Sequence, residues 1–438
     1  MTATMDSVVS MLQKNGAVRC YAKLLSPNDN SKNQIYLGGN FSALNILPHE
    51  RISEDSTSMA GSVRYRVKAH VNFFWVDQNG KCHAPAATLI LYPKYPEIRL
   101  SGFLKNCERA PSALMSSRAF GRVLIFGVTN AGEVLAYAAE GNSAVAKGLT
   151  GGRTLNQIGV FLELQFSSGS DNREQLLKML RVIHEKRWLM SQKLSRHGVR
   201  EGYSARNGGG YTLEAELGIS PNGFSEPDYL GWEIKQFGVR DFTNFRAKTP
   251  VTLFTPEPTG GVYKDHGFEE FMSRYGYADQ SGIPNRLNFG GIYGCGRKQN
   301  ELTGLRMLIN GFDAKANTIL SMQGSIMLLD SEDTIAAKWQ FVDLIAHWNL
   351  KHAKAAFVPS LFRTPPPEYC FGARVTLCEG TDFLKFLKAV SSGLIYLDPA
   401  LKLEQQPGGK PTSKKRNQFR IKHKSLNEIY FGTEIVDL

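Results

Sequence analysis

Between Gly208 and Thr255 lies the stretch that most narrows what this chain can fold into. It opens Gly-Gly-Gly-Tyr-Thr-Leu-Glu (208–214), passes a Ser/Pro/Asn/Gly loop, and reaches Pro227-Asp228-Tyr229-Leu230-Gly231-Trp232-Glu233-Ile234-Lys235. The end of this run reads as a strand. Residues two apart on a strand share a face, so Glu233 and Lys235 are expected together on an exposed face, with Trp232 and Ile234 turned towards a core. Asp228 stands at the strand's start. Two carboxylates make a hard-oxygen site suited to Mg²⁺, which takes the rest of its shell from water and phosphate. Such a metal neutralises developing charge in phosphodiester hydrolysis and acidifies water. Lys235 can orient that water or clamp the phosphate, and the Ile234 carbonyl is a candidate further ligand. By spacing alone, the same residues also describe an ordinary Glu-x-Lys pair on a solvated strand.

Three pieces in order carry a resemblance. They are Gly-Gly-Gly-Tyr-Thr-Leu-Glu (208–214), Pro-Asp-Tyr-Leu-Gly-Trp-Glu-Ile-Lys (227–235) and Thr-Leu-Phe-Thr-Pro-Glu-Pro (252–258), with Phe419-Arg420-Ile421 further on. Together the region resembles the MvaI/BcnI restriction endonucleases, within the PD-(D/E)xK nucleases. The order Glu…Asp…Glu-x-Lys also resembles the MutH mismatch-repair nickases more distantly. The resemblance implies that Asp228 and Glu233 are metal ligands, that Lys235 is the catalytic lysine, and that Glu214 is the helical carboxylate supporting them. It also implies cleavage of double-stranded DNA to 5′-phosphate ends, an α/β catalytic domain with a mixed sheet over about 195–438, and a cognate DNA methyltransferase in the same system. In the family pattern the C-terminal region supplies base-reading residues, and Asp398 and Arg420 fall on matching positions. The chain departs from the pattern there. Pro-Thr-Ser-Lys-Lys-Arg (411–416) replaces a His-Asp-His run, and Ala400 stands where an arginine is expected. The family's recognition sequences are therefore not carried over. Lys414, Lys415 and Arg416 are candidates for phosphate contacts.

Residues 1–168 read as a β-rich, barrel-like unit. Alternating segments at Ala17–Leu24, Val63–Trp75, Ala87–Tyr92 and Val123–Val128 are separated by turn residues. Tyr21-Ala22-Lys23-Leu24-Leu25-Ser26-Pro27-Asn28-Asp29, followed by Gln34-Ile35-Tyr36-Leu37, is similar to the opening of the EcoRII-type effector domain. Glu97-Ile98-Arg99-Leu100-Ser101 resembles its second arm. That similarity implies Lys23, Asn28, Asp29, Gln34 and Arg99 on DNA-facing arms. Cations there would neutralise phosphates, while amides and guanidinium read base edges. Asn28 and Asp29 are equally good turn residues.

The whole is thus expected to be an α+β protein with a β-rich DNA-binding module, a linker helix over 169–194 and a nuclease domain over 195–438. The helical pattern from Asp171 to Leu194 puts Leu176, Leu177, Leu180, Ile183, Trp188 and Leu189 near one face. Ser-Ser-Gly-Ser-Asp (167–171) marks the boundary. Arg200 and Arg206 are candidate phosphate contacts. The glycines at 208–210 lack the Gly-Lys-Ser/Thr ending of a nucleotide-binding loop, and suit a close approach to DNA or a tight entry into a helix. A helix is expected over Ile335–Leu350 and another over Asp382–Ser391. Lys351 and Lys354 are candidates for phosphate contacts, but read first as a solvated helix end. His347 and His352 lack a partner by spacing, so neither is taken as a general base.

Composition agrees with this and adds limits. The formal net charge of +12 over 438 residues favours polyanions. No apolar run of about 18 residues predicts a membrane span, and the N-terminus lacks a signal-peptide pattern. The six cysteines form no CxxC pair, so a zinc ribbon or a disulfide framework is not indicated; reduced thiols in a cytoplasmic protein are expected. Cys82, His83 and Cys107 make a poor zinc set. With one motif per chain, a monomer would nick strands in turn and a dimer would cut both at once. The residues do not choose between these. Nor do they exclude a repair nickase, a nuclease sensing modified or foreign DNA, or a DNA-binding protein that does not cut.

Overall fold

One strand, Lys354–Arg363, is the axis on which the second half of the chain is built. In the computed structural model its first residues pair antiparallel with Arg374–Glu379 and its last with Glu368–Phe371. Glu233–Gly238 runs parallel along it, in the register Glu233↔Ala355 to Gly238↔Ser360. Trp188–Met190 and Gly432–Asp437 complete this mixed six-stranded sheet. The structure describes residues 3–27, 33–55, 58, 65–150, 155–164, 172–195, 197–205, 207–220, 227–406 and 409–438. Asn28, Asp29, Arg206 and the segment 167–171 lie outside them.

The chain divides into two compact units, Met1–Asp171 and Asn172–Leu438. In the second unit, the helix Asn172–Glu185 buries Leu176, Leu180 and Ile183 against Leu213, Trp232, Ile234, Ala356 and Val358. Each such side chain contributes about 1.5–3 kcal/mol on leaving water. The helix therefore forms part of the second unit's hydrophobic core. It is shorter than the sequence pattern suggests, because Arg187 adopts a left-handed φ of 59° and turns the chain into Trp188–Met190. A second expected helix also divides. Ile335–Gln340 is a strand pairing with Ser325–Leu329, and only Phe341–Lys351 is helical. Trp339, fully buried on that strand, donates from Nε1 to the Pro256 carbonyl at 2.9 Å. The helix Phe383–Ser391 starts as expected, capped by Asp382 on the Leu384 amide.

Smaller sheets surround this core. Val251–Phe254, Phe419–Ile421 and Tyr396–Leu397 form one. Tyr277–Ala278, Arg286–Gly290, Ala400–Glu404 and Thr412–Lys414 form another. In the latter, Phe289, Leu401 and Leu403 are buried while Lys402 and Lys414 face solvent, the alternation of a half-covered sheet.

The first unit is β-rich, with short helices added. Seven strands run in the order Gln157–Ile158, Phe161–Leu164, Ala17–Leu24, Val123–Thr129, Val134–Ala139, Phe73–Asp77 and Gly80–His83; five more form a second sheet. The segment read as one strand over Val63–Trp75 serves both sheets. Val67–His70 belongs to the five-stranded sheet and Phe73–Asp77 to the seven-stranded one. The helix Met5–Lys14, held by a Thr4/Ser7 capping box, lays Val8, Val9 and Leu12 over Cys20, Ala22, Ile125 and Leu135. The α+β class is as expected. Among the described residues no helix is long and apolar enough to cross a membrane.

Candidate active site

The site begins with a two-residue hairpin. Tyr229 and Trp232 exchange backbone hydrogen bonds at 2.9 and 2.8 Å, with Leu230 (φ 49°) and Gly231 (φ 83°) at the turn. Two successive positive φ values match the right-handed twist of a tight hairpin. Glycine accepts this freely, whereas leucine there is strained. The turn folds Asp228 back over the strand, where its Oδ2 accepts the Ile234 amide at 2.9 Å. That bond fixes one acid relative to the strand bearing the other.

Glu233 and Lys235 do share a face, but that face is covered. Glu233 is buried, at 1% exposure, and the Lys235 side chain keeps 20%. The pair is therefore largely buried, not on the exposed face that strand alternation alone suggests. The parallel strand pairing brings the end of the helix Phe341–Lys351 across the site, and Lys351 Nζ stands 3.3 Å from Glu233 Oε1. Lys235 donates to the same oxygen. The second oxygen, Glu233 Oε2, is buried with no hydrogen-bond partner. A buried carboxylate oxygen left bare is costly unless something cationic meets it.

Electrostatics tie the group together. Burial pushes the Glu233 carboxyl up, Lys235 draws it down, Asp228 raises it and Lys351 lowers it again. Glu214, on the helix Gly208–Glu216, is pushed up to about 7 by burial and then by the negative charge of Asp228, with Lys235 opposing. Burial pulls the Lys235 ammonium down, but Glu233, Asp228 and Glu214 more than offset this and hold it above its ordinary value. Glu214, Asp228, Glu233, Lys235 and Lys351 thus form one interacting set. Among the described residues no three acidic, His or Cys side chains are already drawn together as a metal cage. The bare Glu233 Oε2 beside Asp228 is nevertheless the kind of hard oxygen a divalent cation takes.

The glycines have a packing role. A Cβ at Gly208 would stand 2.3 Å from Ser191 Oγ, and one at Gly209 would stand 2.8 Å from the Gln236 amide carbon and 2.9 Å from the Tyr369 ring. Gly208 and Gly209 let the helix bearing Glu214 lie close on the sheet, whereas a Cβ at Gly210 would meet nothing within 4 Å.

The remaining sequence candidates are scattered. Arg200 is exposed but pairs with the buried Glu216, which Lys186 also holds at 2.5 Å. Arg420 bonds Asp398 at 2.7 Å, so these two act as a pair. Lys414 is exposed, and its pKa is lowered by Arg416, burial and Lys402. Lys415 lies 4.7 Å over the Phe268 ring. The Arg416 carbonyl accepts from the Ala400 amide. In the first unit, Arg99 contacts Gln34 at 3.4 Å and Glu97 at 2.8 Å. Lys23 is buried instead of lying on a surface arm. His352 is fully buried against Trp348 and Tyr430, which burial explains without a catalytic role. Lys351 is the residue the sequence reading left on a solvated helix end. Its one signal was its place just before the strand Lys354–Arg363.

A mixed sheet with an Asp…Glu-x-Lys set at one strand, and a helical glutamate beside it, defines a nuclease of the PD-(D/E)xK group. The chain belongs to the MvaI/BcnI restriction endonuclease family, whose model matches residues 177–430. It is a type II site-specific endonuclease. Among solved structures, it is similar to the restriction endonuclease MvaI–cognate DNA substrate complex, at 18% identity and a TM-score of 0.46, covering 61% of this chain and 99% of that one. It is also similar to MvaI in the absence of DNA, at 17% identity and a TM-score of 0.34, covering 62% and 99%. A comparison with curated proteins gave no match. Restriction endonucleases generally use divalent metal ions.

Proposed function

We propose that this site cuts double-stranded DNA with Mg²⁺ held by Asp228 and Glu233, with the Ile234 carbonyl as a further ligand. The observation that carries this is Glu233 Oε2, a buried oxygen without a partner, next to a carboxylate whose position the Ile234 amide fixes. Mg²⁺, when bound, supplies positive charge against the scissile phosphate and acidifies water. Lys235 is kept cationic by the surrounding acids. It hydrogen-bonds a phosphate oxygen and orients the attacking water. Glu214, poised near neutrality, takes up a proton or shares in holding the cation. Water attacks phosphorus, the 3′-oxygen leaves, and the products carry 5′-phosphate and 3′-hydroxyl ends.

Recognition is divided between the units in this reading. Arg99 and Gln34, in contact with each other, are the first unit's candidates for gripping DNA; Asn28 and Asp29 join them as candidates from the sequence, and Lys23 drops out because it is buried. In the second, Asp398 with Arg420 reads bases, while Arg200, Arg206, Lys414, Lys415 and Arg416 contact phosphates. The enzyme works as a monomer in the cytoplasm, with a cognate methyltransferase protecting host sites. Membership of the MvaI/BcnI restriction endonuclease family supports DNA as the substrate. Digesting genomic DNA with Mg²⁺ or EDTA and sequencing the ends tests the metal dependence, the cleavage chemistry and the sequence specificity. The expected result is one motif at every Mg²⁺-dependent end, with 5′-phosphates. Ends without a shared motif, or undiminished cutting in EDTA, would refute it.

A further inference from the structure

Away from the nuclease site, the first unit holds two thiols in contact. Cys82, on the edge strand Gly80–His83, has its Sγ 3.1 Å from the Sγ of Cys107, in the loop that follows the strand Glu97–Ser101. Both side chains are partly exposed, whereas Cys20, Cys370 and Cys378 are buried. A disulfide needs about 2.05 Å between the sulfurs, so roughly 1 Å of side-chain rotation closes the gap. The backbone around the pair is held already. Arg109 donates to the Lys81 carbonyl at 2.8 Å and to Asp77 Oδ1 at 2.6 Å, and Trp75 Nε1 donates to the Phe103 carbonyl at 2.6 Å.

We infer that Cys82 and Cys107 are a disulfide-forming site that reacts with peroxides. Chemical asymmetry within the pair supports this. The Cys82 thiol is lowered by its hydrogen bond to Cys107 and by the Arg109 amide, while burial raises Cys107 to about 11. Cys82 is thus the attacking thiolate and Cys107 the resolving thiol. The Cys82 thiolate attacks one peroxide oxygen and breaks the O–O bond. This gives a sulfenic acid and hydroxide, which takes up the proton Cys82 released. The Cys107 sulfur then attacks the Cys82 sulfur, and the sulfenic oxygen leaves as water with the Cys107 proton. Two thiols and one hydrogen peroxide become one disulfide and two waters. The bond ties the edge of the seven-stranded sheet to the loop behind the strand carrying Arg99.

The full-length chain, treated with graded hydrogen peroxide and then alkylated, tests this by peptide mass mapping. The expected product at the lowest effective dose is the Cys82–Cys107 cross-link, lost on adding a dithiol reductant. Closing a loop of about 25 residues should raise the unfolding temperature of this unit by roughly 5–10 °C. Cys107→Ser should leave a Cys82 sulfenic acid that a cyclic diketone traps, and Cys82→Ser should leave Cys107 reduced at the same dose. Cys20, Cys295, Cys370 or Cys378 oxidising first would overturn the inference. So would over-oxidation of Cys82 in the wild type without a cross-link.

Discussion

Lys23, on the strand Ala17–Leu24 of the first unit, and Lys235, on Glu233–Gly238 of the second, are both largely shielded from water. Their surroundings differ. Lys23 has the Leu24 carbonyl at 3.5 Å, and burial pulls its ammonium down to about 8. Lys235 meets the same desolvation, yet Glu233, Asp228 and Glu214 hold its charge in place. Burial disfavours the charged form of any lysine, so the sign of the net shift reports what else has been brought near. At Lys235 the chain has gathered three carboxylates. Under the proposed function a further positive charge and an anionic substrate share the site with them. At Lys23 the charge is merely tolerated.

The sharpest way to break this contrast is at the catalytic strand. Lys235→Ala and Asp228→Ala should each lower cleavage by about 10³-fold or more, since each removes charge that acts on the reacting phosphate. DNA affinity in a gel shift without metal should stay near wild type. Loss of binding or folding in step with cleavage would mean that the set is structural. A smaller effect is expected at Lys351, which acts through Glu233. Lys351→Met should cost about 10–100-fold, the range for a residue that orients a metal ligand. It also makes a prediction that a packing role does not. Lys351 draws the Glu233 carboxyl down. Without it Glu233 is protonated at higher pH, so the acid limb of the cleavage profile should move upwards. An unmoved profile with reduced rate would put Lys351 outside the charge network.

The contrast also shows what the amino-acid order can convey. Period-two alternation was enough to put Glu233 and Lys235 on one face, and the Leu-Gly pair before Trp232 left room for the turn that returns Asp228 to the strand. That the face is covered could not be read locally. It follows from the pairing of Glu233 with Ala355, more than a hundred residues later. Lys351 was hidden by the same pairing, because only the parallel register carries the end of its helix to Glu233. Ile335–Gln340 misled for another reason. Ile-Ala-Ala-Lys-Trp-Gln fits both periods, and its partner strand Ser325–Leu329 decided between them. Arg200 was legible as a cation near the site but not as the partner of Glu216, a buried acid on the inner side of the Glu214 helix.

The smallest predicted effect tests the other side of the comparison. Lys23→Met keeps most of the apolar stem and removes the ammonium. The folded pKa of Lys23, about 8, lies below its unfolded value near 10.5, so the unfolded chain binds more protons between those limits. Wild-type stability should therefore rise with pH across that window and be lowered, by this group, below pH 8. The substitution should stabilise the first unit by on the order of 1–3 kcal/mol at pH 7, with the gain shrinking towards pH 10. Hydrogen exchange of the Ala17–Leu24 amides in the full chain measures it, after correction for the intrinsic pH dependence of exchange. A gain independent of pH would mean that Met simply packs better. If the variant is more stable and yet binds DNA less tightly at low salt, the ammonium is retained for phosphate at the expense of stability. That outcome would give Lys23 an anionic partner that Lys235 already has within its own chain.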